Sequence, residues 1–191
     1  MARPLTATDD EILAVAAEEF THNGASGFSL SRVARQLGLS RAAITARFKS
    51  AEDLKRQIAR QKLEIYERRF ASLKPERSVA GLLRVVEEVG AMLSTASNFA
   101  GFLSRYSNNI DDPIWGEMER RRGDILRSVI IEAMPDTVLT REAAADQFMA
   151  LIAGSIMSWH SEDNEAPATY LRRRALQWAQ LAGLELPPEL Q

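Results

Sequence analysis

Apolar residues recur every three or four positions along most of the chain, which is the spacing of one face of an α-helix. The first such run is preceded by Thr8 and Glu11, whose spacing is that of a capping box, in which both side chains bond free N–H groups of the first turn. The run stops at Gly24. The pattern therefore predicts a first helix with an apolar face made of Ile12, Leu13, Ala16 and Phe20.

Two short helices and one long helix are predicted next. The second helix ends at Gly38, and Ser40 is placed to cap a third helix at residues 41–48. In that third helix Ile44 and Phe48 lie four residues apart and so point to the same side. A similar cap at Ser50 begins a longer helix that runs to about residue 73.

The remainder of the chain carries longer helical patterns and no alternating run that would indicate a strand. These patterns extend over about residues 79–96, 99–108, 113–133, 141–160 and 167–182. The predicted fold class is all-α, with an N-terminal three-helix domain, a long connector helix and a helical C-terminal domain.

Composition narrows the class of protein. The chain has 191 residues, of which 46% are hydrophobic, and it contains no cysteine, which excludes disulfides and thiolate metal sites. No segment has the length and apolarity of a signal peptide or a membrane span. We therefore expect a soluble cytoplasmic protein with no membrane partner.

Charge is unevenly distributed along the chain. The net charge is −2, yet residues 29–62 hold nine Lys or Arg against two Asp or Glu, whereas residues 71–191 hold 12 against 17. A basic patch on an otherwise acidic chain is typical of a local phosphate-binding surface. The alternative is an ordinary solvated helix face.

The segment GLSRAAITARF, residues 38–48, has the features of a helix-turn-helix corner. Ala34 is small where two helices must cross closely, and Gly38 permits a tight turn. Leu39, Ile44 and Phe48 anchor the third helix, so its outer face and N-terminus are presented outward, as in proteins that read DNA. Such corners also occur in purely structural settings, and the motif alone leaves that alternative open.

Residues 28–54, FSLSRVARQLGLSRAAITARFKSAEDL, resemble the DNA-binding region of the TetR family of transcriptional regulators. The N-terminal position, the preceding capped helix and the helical remainder fit the same family. The resemblance implies a homodimer whose N-terminal domains, residues 1–50, bind a palindromic double-stranded DNA operator. It also implies that residues 51–191 carry the dimer interface and a site for a small-molecule effector.

The sequence departs from the family pattern in the third helix. Where the family commonly has aromatic residues, this chain has Thr45 and Arg47. Arg47 can replace an aromatic phosphate contact with a charge-assisted one. The family's frequent lysine at the start of the fourth helix is Ala51 here, which leaves Lys55 and Arg56 as substitutes.

The predicted DNA contacts lie on the second and third helices. Backbone N–H groups at the start of the second helix favour a phosphate, and outward alanines can contact thymine methyl groups. Arg41 can reach a guanine edge or a phosphate. The predicted set is Ser29, Ser31, Arg32, Arg41, Ala42, Ala43, Thr45, Arg47 and Lys49.

A dimer interface is predicted on the last two helices, because small residues spaced by four allow another helix to pack closely and a palindromic operator calls for two-fold symmetry. Packing within one chain is the alternative. The predicted set is Ala150, Gly154, Ser158, Leu171, Ala175 and Trp178.

An effector site is predicted among methionine and aromatic residues, since methionine adapts to varied apolar ligands and Tyr106 and Trp115 add hydrogen-bond donors. Plain core packing is the alternative for each of them. The predicted set is Met92, Phe99, Phe102, Tyr106, Trp115, Met118 and Met149.

Little in the sequence supports catalysis. It has two histidines, no cysteine, no phosphate-binding glycine loop and no nucleophile motif, so we expect no enzyme activity, no cofactor and no metal. The predicted function is a ligand-responsive regulator, most commonly a repressor in the family, that is released from its operator by a small, largely apolar effector. The alternative is a module of the same fold that binds a small molecule or a protein and has lost operator binding.

Overall fold

The computed structural model describes residues 7–93, 111–159 and 165–186, and within these ranges every regular element is a helix, as predicted. None of the described helices combines the length and apolarity that crossing a membrane requires. The predicted helix at residues 99–108 lies outside the described residues. The described helices are α1 (Asp9–Gly27), α2 (Leu30–Gln36), α3 (Arg41–Phe48), α4 (Ala51–Ala71), α5 (Val79–Leu93), α6 (Pro113–Ala133), α7 (Arg141–Trp159) and α8 (Pro167–Leu181).

Residue contacts divide the chain into two compact units. The first unit is Met1–Ile65 with Ala100–Arg121, and the second is Tyr66–Phe99 with Arg122–Gln191. Helices α4 and α6 therefore each contribute to both units. This division by contacts differs from the functional division at residue 50, which stays a prediction.

Side-chain caps determine where the N-terminal helices begin. The Thr8 hydroxyl accepts from the backbone N–H of Glu11 at 3.2 Å, and the Glu11 carboxylate accepts from the backbone N–H of Thr8 at 2.6 Å, which confirms the capping box. Ser40 caps α3 and Ser50 caps α4, each accepting at 3.0 Å from the backbone N–H three residues later. Each such cap typically contributes about 1 kcal/mol to stability.

The core of the second unit forms around α5, which packs chiefly against α8. Gly90 marks a close approach of the two helices, because a Cβ atom at this position would lie 2.3 Å from the Cα atom of Ala168. Phe148 of α7 meets Trp178 of α8 edge to face, with ring centroids 4.8 Å apart. The buried residues of α5 are Val79, Gly81, Leu82, Leu83, Val85, Val86, Val89 and Gly90.

The close approach of α5 and α8 gives a stability prediction. Gly90→Ala should lower the free energy of unfolding by about 1–3 kcal/mol, the usual cost of overpacking a core. The matched control is Gly123→Ala on α6, where a Cβ atom meets none of the described residues within 4 Å. That control should raise stability by roughly 0.5–1 kcal/mol, as alanine does in a helix interior. Urea denaturation measures both values, and equal effects of the two substitutions would contradict the close packing.

Candidate nucleic-acid interface

Helix α3 is held in the first unit by two apolar side chains. Ile44 is fully buried and Phe48 is 3% exposed, as the four-residue spacing predicted. They join a core to which α1 contributes Ile12, Ala16 and Phe20 and α2 contributes Leu30, Val33 and Ala34. Since only one side of α3 is anchored, the other side lies on the surface of the unit.

The turn between α2 and α3 is as tight as the sequence predicted. Gly38 has φ +65°, the left-handed conformation in which glycine ends many helices. The backbone N–H of Leu39 donates to the carbonyl of Ala34 at 2.8 Å, and that of Gly38 donates to Arg35 at 3.3 Å. This paired hydrogen-bond pattern satisfies the last carbonyls of α2, and Ser40 begins α3 two residues after Gly38.

The outward side of α3 is small and weakly polar. Arg41, Ala42 and Ala46 are exposed, while Ala43 and Thr45 are half-buried. The Thr45 hydroxyl donates to the carbonyl of Arg41 at 3.0 Å. This face therefore offers methyl groups, one hydroxyl and one guanidinium group, which suit apolar contact with thymine and hydrogen bonding to a base edge or a phosphate.

The start of α2 presents its two predicted serines differently. Ser29 occupies the N-cap position, is half-buried and makes no capping hydrogen bond with its side chain. Ser31 is exposed in the first turn. Their contact with DNA stays a prediction.

The Arg32 side chain binds a buried carboxylate of its own unit. Its Nε lies 2.6 Å from the Oε1 atom of Glu19, whose side chain is 3% exposed, and its Nη2 donates to the carbonyl of Gly27. A buried carboxylate requires such a partner, so this geometry supports a structural role rather than the predicted DNA contact. Sequence reasoning missed Glu19, although its position between Ala16 and Phe20, at the edge of the apolar face of α1, was a usable signal.

The two predicted cations at the end of α3 lie on the surface. The Nη1 atom of Arg47 donates to the carbonyl of Ala7 and lies 3.6 Å from the Oδ1 atom of Asp9, so it connects the end of α3 to the start of α1. Lys49 follows α3 with φ +63° and is exposed. Both side chains belong to the same face of the first unit as Arg56.

The structure distinguishes the two substitutes for the family's lysine. Lys55 points to Asp112, with 3.3 Å between its Nζ and the Oδ2 atom, and both side chains are less than a fifth exposed. Arg56 is mostly exposed and lies 3.0 Å from Asp53 in an ion pair within α4. Lys55 therefore links α4 to the start of α6 within the first unit, whereas Arg56 remains accessible to a ligand.

The predicted effector residues are distributed over the chain. Met92 and Met149 are half-buried in the second unit, whereas Trp115 and Met118 are buried in the first. Trp115 stacks on Phe20 with ring centroids 3.5 Å apart, and its buried indole N–H has no hydrogen-bond partner among the described residues. The remaining predictions, Phe99, Phe102 and Tyr106, lie outside the described residues.

The predicted dimer residues separate into two groups. Ala150, Gly154 and Ser158 are exposed on α7. Leu171 and Ala175 are each 2% exposed, because this face of α8 lies in the core of its own unit. Trp178 is half-buried, and a partner contact through α8 stays a prediction.

The N-terminal helices match a known protein family. Residues 12–58 match the family model for bacterial regulatory proteins of the tetR family. No curated protein sequence matches the chain. The matched segment includes most of α1, all of α2 and α3, and the start of α4.

Solved structures share the fold over nearly the whole chain. A TetR transcription regulator from Haloarcula marismortui superposes with a TM-score of 0.69 at 16% identity, covering 91% of this chain and 96% of that one. The regulator FadR from Bacillus subtilis, solved in complex with stearoyl-CoA, gives 0.65 at 16% identity, with coverage of 93% and 100%. A further regulator from Aquifex aeolicus gives 0.65 at 16% identity, with coverage of 92% and 99%.

The fold and the corner define an all-α protein with an N-terminal helix-turn-helix. The chain carries the N-terminal domain of the TetR family and has the all-α fold of TetR-family regulators, which confirms the resemblance read from residues 28–54.

The Arg32–Glu19 ion pair yields a prediction that distinguishes a structural role of Arg32 from a contact with DNA. Arg32→Ala should lower the free energy of unfolding, because it leaves Glu19 buried without a partner. Removing one partner of a fully buried ion pair costs about 3–5 kcal/mol. The loss of stability here should be smaller, because the Arg32 side chain is 39% exposed.

The control for this prediction is Arg35→Ala, an exposed position on the same helix, which should leave stability nearly unchanged. Both variants are measured by urea denaturation and by DNA titration at several salt concentrations. An Arg32→Ala protein of normal stability with a reduced salt dependence would assign Arg32 to a phosphate instead.

Proposed function

We propose that this protein is a ligand-responsive transcriptional regulator that binds a palindromic DNA operator as a homodimer. Helix α3 of each subunit enters a major groove, with the two half-sites about one helical turn, roughly 34–36 Å, apart. Repression is the outcome we expect when the operator overlaps a promoter.

The observation that carries this proposal is the anchoring of α3 by one side only. Ile44 and Phe48 are buried, while Arg41, Ala42 and Ala46 on other sides of the helix are exposed. A helix held in this way, directly after a tight glycine turn, can place its outer face against base edges. The match of residues 12–58 to the tetR family supports the same reading.

The proposed dimer rests on the exposed face of α7. Ala150, Gly154 and Ser158 form a strip of small residues, beside which Met157 is 54% exposed. A second helix can approach such a strip closely, and an isologous contact gives the two-fold symmetry that a palindrome needs.

The proposed effector is a small, largely apolar molecule. Support comes from one structural neighbour, FadR, which was solved with stearoyl-CoA, and from the two methionines Met92 and Met149 beside the core of the second unit. The effector acts by binding one arrangement of the dimer more tightly than the other, since only differential affinity shifts such an equilibrium.

The first experiment is selection of randomised duplex DNA on the purified protein, followed by sequencing of the retained molecules. We expect enrichment of an inverted repeat, because a symmetric dimer presents two copies of α3 in opposite directions. Retention of DNA without any enriched sequence would contradict specific operator binding. It would favour a helical module that kept the fold and binds a small molecule or a protein.

The dimer proposal is tested by placing a charge on the strip of small residues. A Cβ atom at Gly154 meets nothing within 4 Å in the described part of the chain, so Gly154→Glu should leave the subunit folded. It should convert the dimer to a monomer, because a carboxylate buried between two helices is costly without a partner. Gly123→Glu on α6 is the matched control, since a Cβ atom there also has no described neighbour within 4 Å. Sedimentation measures both, and a dimeric Gly154→Glu protein would exclude this face.

A further inference from the structure

A cationic cleft lies beside the recognition helix, formed by the end of α3, the following turn and one face of α4. It brings together four cationic side chains, Arg47, Lys49, Arg56 and Arg60, against a single carboxylate. The other lining residues are Phe48, Asp53 and Gln57. The family model ends at residue 58, so Arg60 lies outside the segment that the family match defines.

The cations of α4 divide into bound and accessible groups. Lys55 is held by Asp112 and points away from the cleft. Arg56 pairs with Asp53 at 3.0 Å and Arg60 pairs with Glu64 at 3.9 Å, but the arginine side chains remain 62% and 72% exposed. Exposed pairs of this kind contribute little to stability, so both guanidinium groups can be redirected to another anion at low cost.

The cleft is elongated along α4. Asp53 and Arg60, the first and last lining residues on α4, are seven residues apart, which corresponds to about 10 Å along the helix. Successive phosphates on one DNA strand follow each other at about 3.4 Å along the duplex axis. The spacing therefore suits several phosphodiester groups of one strand better than a single small anion.

We propose that this cleft binds the phosphodiester backbone of the DNA that flanks each operator half-site, with Arg56 and Arg60 as contacts beyond those of α3. This inference rests on the proposed operator binding. It explains how the chain can bind DNA tightly with an α3 surface that is rich in alanine, because phosphate contacts supply affinity without reading sequence.

The test compares Arg60→Gln with Arg68→Gln on the same helix. Both substitutions remove one positive charge at an exposed position, but Arg68 does not line the cleft. With an enriched operator that carries about 10 base pairs of flanking DNA, Arg60→Gln should weaken binding about three- to tenfold and reduce the slope of log K against log salt by about 1. Arg68→Gln should leave that slope unchanged. Circular dichroism and sedimentation confirm that each variant is folded and associates as the wild type does.

A duplex trimmed to the operator itself locates the contact. Trimming should weaken Arg60→Gln less than it weakens the wild type and Arg68→Gln, because that variant has already lost one of the flanking contacts. A reduced slope that persists on the trimmed duplex would place the contact inside the operator and overturn the proposal. An unchanged slope on the long duplex would also overturn it.

Three further outcomes are distinguished by titration. Binding of inorganic phosphate that is lost in Arg60→Gln, while the affinity for DNA and its salt slope are unchanged by that substitution, would identify a small-anion site and overturn the DNA assignment. If the wild type binds no duplex at all, the proposed function fails together with this inference. If the wild type binds DNA while Arg60→Gln behaves as Arg68→Gln does, only this inference fails.

Discussion

The burial of Ile44 and Phe48 is the interaction on which the DNA-binding arrangement depends. A helix of eight residues is unstable by itself in water, so α3 exists because these two side chains join the core of the first unit. Burying each contributes about 1.5–3 kcal/mol. Since two positions carry the anchoring, the remaining positions of α3 are free to vary with the partner. Alanines on the outward face therefore cost the fold nothing, although they leave few polar groups for base recognition.

A second constraint is the balance between cations that stabilise the fold and cations that remain available to a ligand. Arg32 neutralises the buried carboxylate of Glu19, and Lys55 pairs with Asp112 in a partly buried position. Arg41 and Lys49, by contrast, are exposed. The nine basic residues counted between positions 29 and 62 therefore overstate the charge that DNA can contact. Electrostatic attraction must come from the smaller group, which is concentrated around α3 and the first turns of α4.

Features encoded by neighbouring residues were predictable from the sequence, and those that depend on distant residues were not. The caps at Thr8, Ser40 and Ser50 and the turn at Gly38 follow from local hydrogen bonding and backbone conformation, and all are present. The Glu19–Arg32 pair joins residues 13 positions apart, and its burial follows from how α1 meets α2.

The faces of the C-terminal helices were harder to assign for a related reason. Small and apolar residues occur on more than one side of α8, so periodicity identifies a helix without showing which side meets its own core. Leu171 and Ala175 face α5 and the rest of that core, which the structure shows and the spacing alone could not. On α7 the small residues at positions 150, 154 and 158 remained outside because Ala144, Ala145 and Phe148 supply the buried face.

Asp112 shows how one side chain can combine a local and a long-range role at the start of α6. Its Oδ1 atom accepts from the backbone N–H groups of Ile114 and Trp115, at 2.9 and 3.2 Å, and so caps the helix, while its Oδ2 atom binds Lys55 of α4. Trp115 in turn stacks on Phe20 of α1. The beginning of α6 is thus attached to two helices of the first unit, whereas its later residues belong to the second. Helices α4 and α6 each continue from one unit into the other, so the proposed effector site, if it lies in the second unit, shares two helices with the unit that holds α3. That connection has an energetic effect only if the effector binds the two arrangements with different affinity.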